Sequence, residues 1–126
     1  MQRVLGIGGV FFKARDPVSL GAWYRDHLGI DVQSWGGAVF HAGAPHSAVW
    51  SPFPADTTYF APSEAPFMIN FRVADVRAMV DQLRTHGCSV DDRIEETPQG
   101  TFGWAMDPEG NRVELWQPPQ EWSAPR

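Results

Sequence analysis

The chain has 126 residues, 43% of them hydrophobic, so it can bury one sizeable core but is too short for two ordinary domains. Its formal net charge is −5 and no two basic residues are adjacent, which argues against a nucleic-acid or membrane partner. A single cysteine excludes a disulfide framework, and with neither a signal peptide nor a membrane-spanning run the expected location is the cytoplasm.

The first half of the chain has the pattern of a strand followed by a helix. The strand motif GGVFFKARD ends at Asp16, a typical helix N-cap, with Pro17 at the first helical position. The apolar residues that follow have helical spacing until Gly29 stops the helix. Short strand patterns then cover residues 31–35, 38–42 and 47–50.

A proline-rich segment follows at residues 52–66. It contains Pro52, Pro54, Pro62 and Pro66. Because proline has no N–H to give to a central strand, the segment is predicted to be a linker that crosses the surface.

The second half repeats the order of the first. The motif FMINFRVAD ends at Asp75, and placing Asp75 on Asp16 matches Ile69 with Val10. Asp75 is again an N-cap, and Gly87 stops the second helix. The order β-α-β-β-β therefore occurs twice, with the last three strands predicted over residues 89–94, 101–106 and 112–117.

The final motif, DPEGNRVELW, contains an acid whose environment decides its role. Its Asp-Pro pair opens a turn that Gly110 closes with a positive φ, and Val113 and Leu115 then alternate as a strand. Glu114 points to the opposite face, shared with Trp116. It is either a solvated surface acid or part of a site.

Three segments carry a resemblance to a known superfamily: FFKARDPVSLGAWYRDHLGI, FMINFRVADVRAMVDQLRTHG and GTFGWAMDPEGNRVELWQP. They resemble the vicinal oxygen chelate superfamily of glyoxalases (lactoylglutathione lyases), bleomycin-resistance proteins and extradiol dioxygenases. The resemblance implies an α+β fold in which two βαβββ modules form curved mixed sheets around a cavity, with helices on the outer faces. It implies one domain over 1–126, with modules 4–51 and 67–118 joined by the linker 52–66.

The same resemblance indicates which positions would hold the ligands of a metal ion. Metal-dependent members place ligands on the first, fourth, fifth and eighth strands, positions that correspond here to Gly9, a residue near Trp50, Met68 and Glu114. One carboxylate is too few donors for a catalytic metal. No cofactor is predicted, and a divalent metal ion would require donors displaced from these positions.

Two functions remain open, because the superfamily hosts both. The first is binding of a small, aromatic or extended organic molecule in an aromatic cavity, as in the bleomycin-resistance branch, and the chain is predicted to form a homodimer. Its predicted lining is Phe11, Trp50, Met68, Asn70, Arg72, Trp104 and Trp116. The second is a glyoxalase-like lyase or isomerase, either metal-dependent or metal-free with Glu114 as the catalytic base. In the absence of a metal, Glu114 is expected to pair with Arg72 or Arg112, or to accept a ligand's hydrogen bond.

Overall fold

The computed structural model describes residues 1–41 and 47–120. Seven strands form one mixed sheet in the order β2-β3-β1-β4-β7-β6-β5. The elements in chain order are β1 Val4–Ala14, α1 Pro17–Leu28, β2 Ala38–His41, β3 Ser47–Pro54, β4 Phe67–Val73, α2 Val76–Thr85, β5 Glu95–Thr97, β6 Gly100–Met106 and β7 Arg112–Gln117.

The two halves of the chain join edge to edge within one sheet. The first strands of the halves, β1 and β4, pair antiparallel at its centre. Each also has a parallel partner from its own half, β3 beside β1 and β7 beside β4. The sheet curls into a half-barrel, with α1 packed against β1 and β3 and α2 against β6 and β7. The fold implied by the resemblance is therefore confirmed.

Both helices begin where the sequence predicts. Asp16 Oδ1 accepts a hydrogen bond from the Ser19 N–H at 3.0 Å, and Asp75 Oδ1 accepts one from the Ala78 N–H at 3.0 Å. The first helix ends at Gly29, whose φ of 68° is open to glycine at little cost. Neither helix in the described part of the chain has the length and apolar character that crossing a membrane requires.

Two of the predicted strands are wrong. Residues 31–35 form no strand, and residues 34–35 form a turn in which Gly36 N–H donates to Gln33 O at 2.9 Å, while Gln33 N–H donates to Gly37 O at 2.8 Å. Residues 89–94 make only an isolated bridge between Val90 and Ala105, and the strand of that region is β5. A hydrogen bond from Arg93 N–H to Asp91 Oδ1 at 2.9 Å competes there with a regular ladder. Residue 42, predicted to end the second strand pattern, lies outside the described residues.

The proline-rich segment is more ordered than predicted. Pro52 and Pro54 lie in β3 and pair with β1, contrary to the expectation that they lie outside the strands. The pairing of β2 with β3 ends at Trp50, so beyond Trp50 that edge of β3 has no partner strand among residues 1–41 and 47–120. A proline on this edge loses no ladder hydrogen bond through its missing N–H. Phe60, farther along, is fully buried, so the segment does not simply cross the surface. The division into modules 4–51 and 67–118 stays a prediction.

Apolar side chains pack on both faces of the sheet. The outer face, which carries the helices, holds a cluster formed with α2 by Val73, Val76, Met79, Val80 and Leu115. The opposite face, which we call the inner face, holds a second cluster of Phe11, Phe60, Met68 and Trp104. The inner face therefore has a core of its own, and the candidate site lies beside it.

Candidate ligand cavity and buried carboxylate

The turn before β7 fixes which side chains reach the inner face. Asp107 Oδ1 accepts hydrogen bonds from the backbone N–H groups of Glu109 and Asn111, both at 2.9 Å, and Gly110 has a φ of 84°. These local bonds hold the pKa of Asp107 below its usual range, chiefly through the Asn111 side chain. In the strand that follows, Leu115 packs against α2, and the alternation turns Glu114 to the inner face. The predicted orientation of Glu114 is confirmed.

Glu114 is buried, with 1% of its surface exposed, and its two carboxylate oxygens accept three hydrogen bonds. Asn70 Nδ2 donates to Oε1 at 2.7 Å and Trp104 Nε1 donates to Oε2 at 2.9 Å. The Tyr59 hydroxyl also donates to Oε2. Because a buried carboxylate without partners is costly, these donors are what allows an acid at this position.

The pKa of Glu114 reflects two opposing effects. Burial penalises the charged form and raises the pKa above its ordinary value, while the hydrogen bonds from Tyr59, Asn70 and Trp104 lower it. Burial is the larger effect, so the net direction is upward. The pKa of Tyr59 is raised as well, first by burial and then by the adjacent Glu114 charge.

The prediction that Glu114 pairs with Arg72 or Arg112 is wrong. Among the described residues, its donors are an amide, an indole and a phenol, all of them neutral. Arg112 Nη1 instead contacts Asp91 Oδ2 at 3.4 Å, and its guanidinium lies 5.1 Å from the centre of the Trp104 ring. The Arg72 guanidinium lies beside Gly6, toward the start of β1.

Asn70 connects the buried carboxylate to the open part of the inner face. Its Nδ2 is bonded to Glu114, while its buried Oδ1 has no hydrogen-bond partner among the described residues. A Cβ at position 8 would collide with this oxygen and would lie 2.9 Å from Trp116 Cε3. The strand is bulged here, because the register with β4 shifts between Ile7 and Gly9. Only glycine therefore lets β1 approach Asn70 this closely.

A largely apolar cavity of about 370 Å³ opens beside Asn70. It lies within the size range of small-molecule sites. Its lining includes both halves of the chain, from Phe11 on β1 to Trp116 on β7, and the loop before β2 adds Trp35. The described lining residues are Phe11, Trp35, Val39, Val49, Asn70, Gln99, Phe102 and Trp116.

The structure places only some of the residues that were predicted to line a cavity in its lining. Phe11, Asn70 and Trp116 line it. Met68 and Trp104 are fully buried in the inner cluster, and Arg72 is not among the described lining residues.

Trp50 was expected on the cavity side, and this placement is wrong. Its ring lies 4.9 Å from that of Tyr24 on α1 and 5.5 Å from that of Phe12, which places it on the outer face. The alternation of β3 gives the inner position to Val49.

Sequence reasoning missed other residues of the site. Phe102 could have been found, because it lies two positions before Trp104 in the same strand and therefore shares its face. No sequence signal indicates Tyr59, which lies outside the strands and helices, or Phe60, whose burial depends on the fold of the proline-rich segment. Trp35 was assigned to a strand, whereas it lies in the turn before β2.

The residues at the metal-ligand positions do not fit a metal ion. Gly9 and Met68 offer no nitrogen or oxygen side-chain donor, and Trp50 faces the helix. The oxygens of Glu114 are already engaged by three donors. Over residues 1–41 and 47–120, no three His, Cys, Asp or Glu side chains are grouped so that they could hold a metal ion.

Comparison with known proteins agrees with this architecture. Residues 9–116 match the family model of the glyoxalase-like domain. A search of curated proteins gave no match.

Solved structures show the same fold at low sequence identity. The methylmalonyl-CoA epimerase of Mycobacterium tuberculosis is 20% identical with a TM-score of 0.64, over 94% of this chain and 91% of that one. A variant of the Streptomyces coelicolor methylmalonyl-CoA epimerase in complex with 2-nitronate-propionyl-CoA is 17% identical with a TM-score of 0.73, over 98% and 100% of the chains. A glyoxalase/bleomycin resistance protein/dioxygenase superfamily member from Vibrio splendidus is 12% identical with a TM-score of 0.57, over 91% and 97%. The superfamily resemblance is confirmed, and these similarities concern the fold alone.

Proposed function

The chain belongs to the glyoxalase-like domain family, and from the cavity on its inner face we propose that it binds a small, flat or extended organic molecule without transforming it. The observation that carries the proposal is the cavity of about 370 Å³ with aromatic side chains on several sides. Phe102 and Trp116 form one wall, with stacked rings whose centres are 6.3 Å apart. Flat aromatic surfaces of this kind gain most by burying a flat apolar partner.

The shape of the cavity supports binding because the cavity is already formed. The Trp116 ring is held by a hydrogen bond from Nε1 to Gln99 O at 2.8 Å. Phe11 is packed in the inner cluster and cannot swing freely. A ligand would therefore meet side chains that have already lost most of their rotamer freedom, which reduces the entropic cost of binding.

The alternative, an enzyme with Glu114 as its base, is less well supported by the contacts. A general base must come within hydrogen-bond distance of the proton it removes. Glu114 is 1% exposed, is not among the described cavity-lining residues and accepts hydrogen bonds from Asn70, Trp104 and Tyr59. These contacts support a structural role for this acid, in which it holds the inner face together.

We also propose that the protein is a cytoplasmic homodimer. Leu5, Ile7 and Val10 on β1 are 53%, 47% and 42% exposed, and Trp23 on α1 is 50% exposed. Covering such side chains with a second copy would remove apolar surface from water. Light scattering at micromolar concentration is expected to give about twice the chain mass of 14.1 kDa; the mass of a single chain would contradict the dimer.

Calorimetric titration tests the binding proposal directly. The probes are indoleacetamide, quinoline and naphthyl methyl ketone, which are flat and uncharged at neutral pH. At least one should bind saturably, and Phe102→Ala should weaken that binding by roughly 1 to 3 kcal/mol through loss of a stacking wall. The matched control is Phe67→Ala, because Phe67 is 42% exposed and is not among the described lining residues. Absence of saturable binding for all three probes, or equal effects of the two variants, would contradict the proposal.

A further inference from the structure

The lack of charged side chains in the described cavity lining restricts the kind of ligand that the cavity can bind. None of its eight described lining residues carries an ionisable side chain. The polar side chains among them are Asn70, which is buried, and Gln99, which is exposed. Among these described lining residues, an ionised group that entered this space would find no opposite charge to offset the hydration that it loses.

No described ionisable residue on the strands that line the cavity is itself a lining residue, and this includes Lys13, His41, Arg72, Arg112 and Glu114. Glu114 lies directly behind Asn70, with Asn70 Nδ2 and Glu114 Oε1 2.7 Å apart. In its charged form it repels an anion, and in its protonated form it attracts none. The basic residue of the same strand, Arg112, contacts Asp91 and the Trp104 ring and is not among the described lining residues.

From this arrangement we infer that the cavity selects uncharged ligands and discriminates against anions and cations of the same shape. The inference rests on the proposed binding function and narrows its ligand class. The inferred ligand class excludes compounds such as the coenzyme A derivative bound in the Streptomyces coelicolor neighbour, because coenzyme A carries several phosphate charges. A cation gains from aromatic faces, but in an apolar site that gain is smaller than the cost of removing the ion from water.

Three probes that share one ring system test the inference. Indoleacetamide is neutral, indoleacetate is an anion of nearly the same shape and tryptamine is a cation of similar length. Calorimetric titration at neutral pH should show indoleacetamide binding at least about tenfold more tightly than either ion. Equal or tighter binding of indoleacetate or tryptamine would overturn the inference while leaving the binding function in place. Binding of none of the three would also overturn the inference, because its neutral probe fails, and the binding function would then depend on quinoline and naphthyl methyl ketone.

A variant with an added charge tests whether the lining causes this selectivity. Gln99→Lys places an ammonium group at the exposed edge of the cavity, and the backbone oxygen that accepts from Trp116 remains. The preference for indoleacetamide over indoleacetate should fall by about threefold or more. Gln120→Lys adds the same charge at an exposed residue that is not among the described lining residues, and should leave the preference unchanged. Equal responses of the two variants would mean that the net charge of −5, and not the cavity, sets the selectivity.

Discussion

Tyr59 donates its hydroxyl hydrogen to the carboxylate of Glu114, a residue 55 positions farther along the chain. The tyrosine belongs to the segment between the two halves of the chain, and the acid belongs to the last strand. Phe60, beside it, is fully buried in the inner cluster. The segment is therefore attached to the inner face by a polar contact and an apolar one.

Replacing Tyr59 by phenylalanine should destabilise the protein. The substitution keeps the ring, which stacks on Phe53 at 5.6 Å, but removes one of three donors to a buried carboxylate. The free energy of unfolding in urea should fall by about 1 to 3 kcal/mol. Tyr24→Phe is the matched control, because the described contacts of Tyr24 are ring contacts with Trp23 and Trp50. A Tyr59→Phe protein as stable as the control would show that the contact contributes nothing.

The pH dependence of stability reports the pKa of Glu114. Burial raises this pKa in the folded protein above the ordinary value of 4.5, so between these two values the folded state binds more protons than the unfolded state. The stability that Glu114 contributes is fully present below pH 4.5 and is lost as the pH rises through the folded pKa.

A variant that cannot titrate isolates this contribution. The stability of the natural protein relative to Glu114→Gln, measured by urea unfolding at several pH values, should fall as the pH rises above 4.5. Both proteins contain the same other acids, so the difference reports Glu114. A difference that grows with pH would mean that the three hydrogen bonds outweigh burial and lower the pKa.

Two glycine substitutions should have opposite effects on stability. At Gly8, a methyl group would collide with Asn70 Oδ1 and crowd Trp116, so Gly8→Ala should lower the free energy of unfolding by about 1 to 3 kcal/mol. At Gly21, inside α1, a methyl group would lie 3.5 Å from Val32 Cγ1, an ordinary contact. Gly21→Ala should therefore raise the melting temperature and the unfolding free energy, by about 1 kcal/mol. Thermal unfolding of both variants checks this, and destabilisation by Gly21→Ala or neutrality of Gly8→Ala would contradict it.

Local sequence determined much of the fold. The aspartates before the helices and the glycines after them act within a few residues, so both helices lie where the pattern placed them. The alternation of β7 depends only on the pleat of a strand, and it correctly turned Glu114 to the inner face. The repeat predicted the paired halves, because each half carries its own strand and helix signals.

Only the tertiary structure decided what surrounds Glu114. Its donors come from Tyr59, Asn70 and Trp104, which are brought together by the pairing of β4, β7 and β6 and by the path of the proline-rich segment. No local pattern encodes such long-range contacts, and the sequence favoured an arginine because opposite charges are the simplest partners of a buried acid. Trp50 was misplaced because its position came from the superfamily resemblance, and alignment by resemblance does not fix to within one residue which side chain of β3 faces inward. That choice belongs to the packing of α1 on β3, where Trp50 contacts Tyr24.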